Sequence, residues 1–199
     1  MNYWQGKIIW VTGASAGIGE AVAKAFVAAG AKVIISARRT KELERVKEES
    51  RHPENVFVLP LDMAATDSFA EKTEAAIVAF GHIDVLFNNA GISQRSYARD
   101  TDLSVDRRLL EINTLGTIGL TKALLPHFFK RRSGHFATIT SLTGKIGSPL
   151  RSGYAASKHA LHGFFDSLRA ELVNDNIDVT LIVPGFIRTD VSRNALTGD

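Results

Sequence analysis

The 199-residue chain contains no cysteine. Disulfides, a thiol nucleophile and a cysteine-based zinc site are therefore excluded. No apolar run is long enough to span a bilayer. The opening MNYWQGKIIWVTG has no basic segment followed by an apolar stretch and a cleavage site, so no signal peptide is expected and a cytoplasmic location is the default. A strong charge of either sign is also missing, the net charge being +3. The one dense basic cluster, Lys130-Arg131-Arg132, falls at an expected helix end, where cations suit the helix dipole. Nucleic-acid binding needs more than this and is not expected. There is no repeat, low-complexity tract or linker. What is present is ordinary: 45% hydrophobic and 23% charged residues, in a length that fits one α/β domain with a real core.

Strand and helix patterns alternate along the chain. Short apolar runs predict strands at Lys7–Thr12, Lys32–Ala37, Asn55–Pro60, Ile83–Phe87, Gly134–Thr140 and Ile177–Val183. Helical spacing is expected over Gly17–Ala29, Thr40–Ser50, Thr66–Phe80, Ser104–Lys130 (in two pieces) and Gly153–Asn174. Strands separated by helix-length segments imply right-handed βαβ units and a parallel sheet. The expectation is a doubly wound, Rossmann-like α/β domain of strand order 3-2-1-4-5-6, with ligands beyond the carboxyl ends of the strands.

The first turn agrees with that. Thr12-Gly13-Ala14-Ser15-Ala16-Gly17-Ile18-Gly19 follows the first strand and opens the first helix. Glycines let the backbone approach a pyrophosphate, and the helix N-terminus attracts its charge. The spacing is G-x3-G-x-G, and no Gly-Lys-Ser/Thr follows, so it is not a P-loop. The second strand ends Ser36-Ala37-Arg38-Arg39, without the acid that would bond an adenosine 2′-hydroxyl. Arginine suits a 2′-phosphate, which favours NADP(H) over NAD(H).

Further along, Ser141 sits where an apolar run gives way to a Gly/Ser/Pro loop, and Tyr154 and Lys158 stand four apart on a helix. Residues i and i+4 share a face. An ammonium beside a phenol favours the phenolate, so the Tyr154 pKa is expected below its reference of about 10, making an acid/base for neutral pH. His159 and His162, His127 and His135, and Trp4 and Trp10 read as non-catalytic: no carboxylate pattern suggests a metal, the second pair reads as solvated, and the tryptophans as packing.

Together these residues resemble the short-chain dehydrogenase/reductase family. The resemblance runs from Gly6 to about Thr189 through TGASAGIG (Thr12–Gly19), Leu61-Asp62, NNAG (Asn88–Gly91), Asn113, Ser141, YAASK (Tyr154–Lys158) and PGFIRT (Pro184–Thr189). It implies Tyr154 as proton donor and acceptor, Lys158 lowering its pKa and bonding the nicotinamide ribose, Ser141 on the substrate oxygen, and Asn113 positioning a relay water. It implies Gly13, Ser15, Ala16, Gly17, Ile18 and Gly19 around the pyrophosphate, Arg38 and Arg39 at a 2′-phosphate, and Asp62 on the adenine. Asn88, Ala90 and Gly91 would lie on the adenosine side, with Asn89 tying strands together. Pro184, Gly185, Ile187 and Thr189 would be near the carboxamide.

The resemblance further implies a homodimer or homotetramer through the last two long helices. Members of the family usually continue with a substrate-covering helix, another helix and a seventh strand, so residues 1–199 read as one catalytic domain, C-terminally short. The leading expectation is an oxidoreductase interconverting a small-molecule carbonyl and a secondary alcohol, without metal, nucleic acid or membrane. A catalytically silent dinucleotide-binding protein and a sugar-nucleotide epimerase or dehydratase are the alternatives. Tyr97, Leu142, Ile146, Pro149, Leu150 and Phe186 suggest a moderately apolar substrate. Arg38→Asp is expected to shift preference from NADPH toward NADH in a fluorescence titration; an unchanged preference would refute the 2′-phosphate assignment.

Overall fold

The computed structural model describes residues 2–187, 189 and 194–198. Arg188 of the Pro184–Thr189 motif and Asp199 lie outside the described residues. Six strands form one parallel sheet in the order β3-β2-β1-β4-β5-β6, as expected. They are β1 (Ile8–Thr12), β2 (Lys32–Ser36), β3 (Val56–Val58), β4 (Val85–Asn88), β5 (Gly134–Ile139) and β6 (Ile177–Ile182). The helices are α1 (Gly17–Ala28), α2 (Thr40–Glu48), α3 (Phe69–Phe80), α4 (Leu103–Leu109), α5 (Thr117–Arg131) and α6 (Ser152–Glu171).

Both faces of the sheet are covered, which is why its strands read as near-continuous apolar runs. In β1, Ile8 and Trp10 enter the core beneath α3, α5 and α6, where Leu120, Phe128 and Phe165 are buried. Ile9 and Val11 enter the other core, with Val27 of α1 and Leu43 and Val46 of α2. Trp10 is fully buried and donates its Nε1–H to Ser36 Oγ at 2.8 Å, while Trp4 packs edge-on against Phe26. A charge network joins α1 to α2: Glu20 pairs with Lys24 and Arg45, and both cations reach Glu49. Those pairs hold the Glu20 carboxyl down at about 2, Arg45 being the main cause.

Several boundaries differ from the expected ones, two of them with a clear physical reason. β3 is shorter than Asn55–Pro60 because only three of its residues pair with β2. β4 begins at Val85 because the Ile83 amide donates to the His127 ring at 3.2 Å rather than to a neighbouring strand. The expected break in Ser104–Lys130 is a π-helical segment, Leu110–Gly116, joining α4 to α5. His127 and His135, expected in solvent, are hydrogen-bonded and half-buried; the His135 ring pairs with Thr180 Oγ1 at 2.8 Å.

Phe128 fastens α5 to the sheet. Its ring lies 4.8 Å from that of Phe136 and fills the space that a side chain at Gly134 would need. Phe128→Ala is expected to cost about 3–5 kcal/mol in urea unfolding at unchanged m-value; a loss below about 1 kcal/mol would show that the site collapses around the smaller residue.

Candidate active site

In a parallel sheet every strand ends at the same edge. Thr12 is in register with Ser36, Val11 with Phe87, and Ile139 with Ile182. The glycine turn, Arg38-Arg39, Asp62, Asn89-Ala90-Gly91, Ser141 and Pro184 therefore emerge along one rim, although 172 positions separate the first from the last.

The glycine turn is tightly packed from behind. Gly13 has φ +66°, and a Cβ there would lie 2.7 Å from the Ala90 Cα. A Cβ on Gly19 would press into the Gly13 carbonyl and the Asn89 side chain. Thr12 and Asn89 knit this turn to the loop after β4. Thr12 Oγ1 accepts from the Asn89 and Ala90 amides at 3.0 and 3.1 Å, and Asn89 Nδ2 donates to the Thr12 and Gly13 carbonyls. Asn89 thus joins the two strand ends, as the resemblance implied. Asn88 departs from its expected place: it is buried and donates to Thr121 and Thr138, so it ties α5 to β5 and faces away from the rim.

Helix α1 starts at Gly17 after Ala16, with no side chain capping its first amides. Those amides are suited to an anion. Arg39, at the start of α2, reaches back and donates to Ser15 Oγ at 3.1 Å, while Arg38 is exposed beside it. Asp62 accepts from the Ala64 amide, which fixes the turn after β3. Ile18, Pro184 and Ile187 wall one wholly apolar cleft of about 370 Å³ beside α1 and the ends of β4, β5 and β6. Gly185 is exposed, and Thr189 packs its methyl against Gly17.

The other half of the rim holds Lys158, Asn113, Tyr154 and Ser141. Lys158 is only 4% exposed and donates to the Ile139 carbonyl at 3.1 Å. Burial pushes its pKa down to about 8. Gly91 lies against it: a Cβ there would be 3.6 Å from Lys158 Nζ and 3.2 Å from Asn113 Oδ1. Asn113, buried in the π-helical segment, accepts from the Ile92 amide and donates to the Ile92 carbonyl and Ser157 Oγ. A π-turn reaches one residue further back than an α-turn and recurs at functional sites. Neither the π-segment nor the Thr12 hydroxyl was singled out by spacing, because both act through backbone groups.

Tyr154 is half-buried, one turn before Lys158 on α6. Its pKa lies above the ordinary value, which corrects the expected lowering. Burial is the largest cause and outweighs the nearby Ser141 hydroxyl and the charge of Arg151, both of which favour the phenolate. The Lys158 ammonium is 5.9 Å from the ring centroid and turned to Ile139, which is why its effect is not the one that sharing a helical face suggested. Ser141 Oγ accepts from the amide and hydroxyl of Thr143, which orients it at the start of a 3-10 turn.

At neutral pH both folded and unfolded chains carry the Lys158 proton, and the folded chain bears the burial cost. Between about 8 and 10.5 the unfolded chain binds more protons, so stability rises with pH through that window. Lys158→Met is expected to raise the urea midpoint at pH 7, with the advantage shrinking as the pH climbs from 8 to 10.5. A midpoint at pH 7 no higher than the parent's would refute the burial cost.

Residues 7–198 match the family described as short chain dehydrogenase. The chain is similar to dehydrogenase/reductase SDR family protein 7-like of Drosophila melanogaster, 46% identical over 99% of this chain and 62% of that protein. Its similarity to human dehydrogenase/reductase SDR family member 7 is 45% over 98% and 62%. The chain thus spans about 62% of the length of these curated relatives. A short-chain dehydrogenase structure from Streptomyces avermitilis superposes with TM-score 0.88 at 34% identity, covering 97% of this chain and 70% of that one. On the sheet order, the rim and these matches, the chain belongs to the short-chain dehydrogenase family.

Proposed function

We propose that the chain is an NADP(H)-dependent oxidoreductase that interconverts a carbonyl and a secondary alcohol. The observation that carries the reading is the convergence of three groups at one rim: the half-buried Tyr154 phenol, the Ser141 hydroxyl acting on it, and the buried Lys158 amine one turn below. When bound, the dinucleotide supplies or accepts the hydride. Its fit rests on the uncapped start of α1, the two close-packed glycines, and a Lys158 amine with one acceptor and two further N–H groups for ribose hydroxyls.

In reduction, Tyr154 donates its phenolic proton to the substrate oxygen as the carbonyl carbon takes the hydride; in oxidation the phenolate takes that proton back. Ser141 bonds the same oxygen as charge develops. The raised phenol keeps its proton at neutral pH, which suits the acid of the reductive direction. Asn113 holds the loop after β4 against α6 behind them. Arg38 and Arg39, with no acid at the end of β2, support recognition of a 2′-phosphate. Exposed Tyr97, Leu142, Ile146 and Phe186 favour a moderately apolar substrate. Leu103, Leu110, Leu115 and Phe129, exposed along α4, the π-segment and α5, favour a homo-oligomer. On α6, Leu161, Phe165 and Leu168 belong to the core.

Fluorescence titration is expected to give tighter NADPH than NADH binding. Tyr154→Phe is expected to lower turnover of a carbonyl probe by about a hundredfold or more while NADPH affinity stays within about twofold. Turnover retained in that variant would remove Tyr154 as the acid/base. Tighter binding of NADH would overturn the NADP(H) assignment alone.

A further inference from the structure

Helix α6 starts without a cap of its own. Arg151 precedes it, and no side chain at that position bonds its first amides. Two of those amides nevertheless have a partner from far along the chain. Gln94 is fully buried, and its Oε1 accepts from the Gly153 amide at 3.1 Å and from the Tyr154 amide at 3.4 Å. The other end of the same side chain is also engaged: Nε2 donates to Ser96 Oγ and Thr101 Oγ1, each at 3.1 Å. Those two hydroxyls bond each other at 2.7 Å. The backbone of Gln94 forms a parallel bridge with Leu196, whose amide donates to the Ser93 carbonyl and whose carbonyl accepts from the Arg95 amide. Three pieces therefore meet at one amide side chain, namely the loop after β4, the turn before α4 and the first turn of α6, and the segment 194–198 joins them through the backbone of that loop.

The chemistry of that side chain matters as much as its place. A Ser or Asp at position 151 would cap the helix locally. A carboxylate at position 94 would hold the same amides, and a helix N-terminus favours one. It would also set a negative charge beside the phenol and oppose its ionisation. The charged groups already facing that turn are Arg151 just before the helix, Lys158 one turn on, and Asp106 of α4, which occupies the room beside Gly153. A neutral amide holds the backbone without disturbing that balance.

We propose that Gln94 is a positioning residue for Tyr154: it holds the tyrosine's own backbone amide and thereby fixes where the phenol stands against Ser141. The proposal rests on the reading of Tyr154 as the acid/base. Nothing in residue spacing indicates it, since 60 positions separate the two.

The test uses the full chain and two variants. Gln94→Met removes both acceptor and donors; Gln94→Glu keeps the acceptor and adds charge. In Gln94→Met, hydrogen exchange at the Gly153 and Tyr154 amides is expected to accelerate by about tenfold, and kcat for a carbonyl probe to fall by about tenfold, with NADPH affinity within about twofold. In Gln94→Glu, amide protection is retained, and both the ¹³C-tyrosine NMR titration of Tyr154 (assigned with Tyr154→Phe) and the pH–rate profile move to higher pH. A Gln94→Met variant with a lower melting temperature but unchanged exchange and kcat would overturn the proposal. If that variant does not fold, an unmoved Tyr154 titration in Gln94→Glu would overturn it. Turnover surviving in Tyr154→Phe would instead sink the reading of the site, so the two failures are distinguishable.

Discussion

The hydrogen bond from Lys158 to the Ile139 carbonyl is the constraint on which the site depends. It joins the end of the second turn of α6 to the last residue of β5, and so sets that helix against the sheet edge. Burying an ammonium with one neutral acceptor is unfavourable, and the lowered pKa of Lys158 expresses that cost. The chain tolerates it because two cores on either side of the sheet supply the stability. On the proposed reading of the site, the N–H groups that have no partner among the described residues would serve a ribose. A methionine there would pack better and do nothing.

The same logic separates the two helix starts on the rim. Helix α1 begins after alanine, and among the described residues no side chain caps its first amides, an arrangement that suits an anion. Helix α6 also begins without a local cap, yet two of its amides are held by Gln94. On the proposed reading of the site, the two starts serve different ends. A phosphate is bound through exchangeable backbone donors, whereas a proton-transfer group must be held still before the substrate arrives.

Much of the fold was legible because a parallel sheet covered on both faces writes itself as short apolar runs between amphipathic helices. The strand order and the rim followed from βαβ handedness and from the turn after β1. The misjudged details are those in which a side chain answers to a partner far away in the chain. Asn88 and Asn89 are adjacent and identical in type, yet one ties α5 to β5 and the other joins β1 to β4, because successive strand residues face opposite ways. His127 lost its expected solvation to the Ile83 amide. Tyr154 was read from its helical neighbour Lys158, but burial outweighs the charges around it.

By itself, then, the sequence determined the class of fold, the edge at which the strands end and the candidate residues gathered there, since all three are encoded in local periodicity, glycine placement and motif order. Tertiary structure alone decided the protonation preferences of Tyr154 and Lys158, the π-turn under Asn113, and the capping of α6 by Gln94. Those properties depend on which groups are desolvated together and which backbone donors are left over after packing. Neither quantity has a signature in residue spacing, because both are set by contacts between segments tens of residues apart.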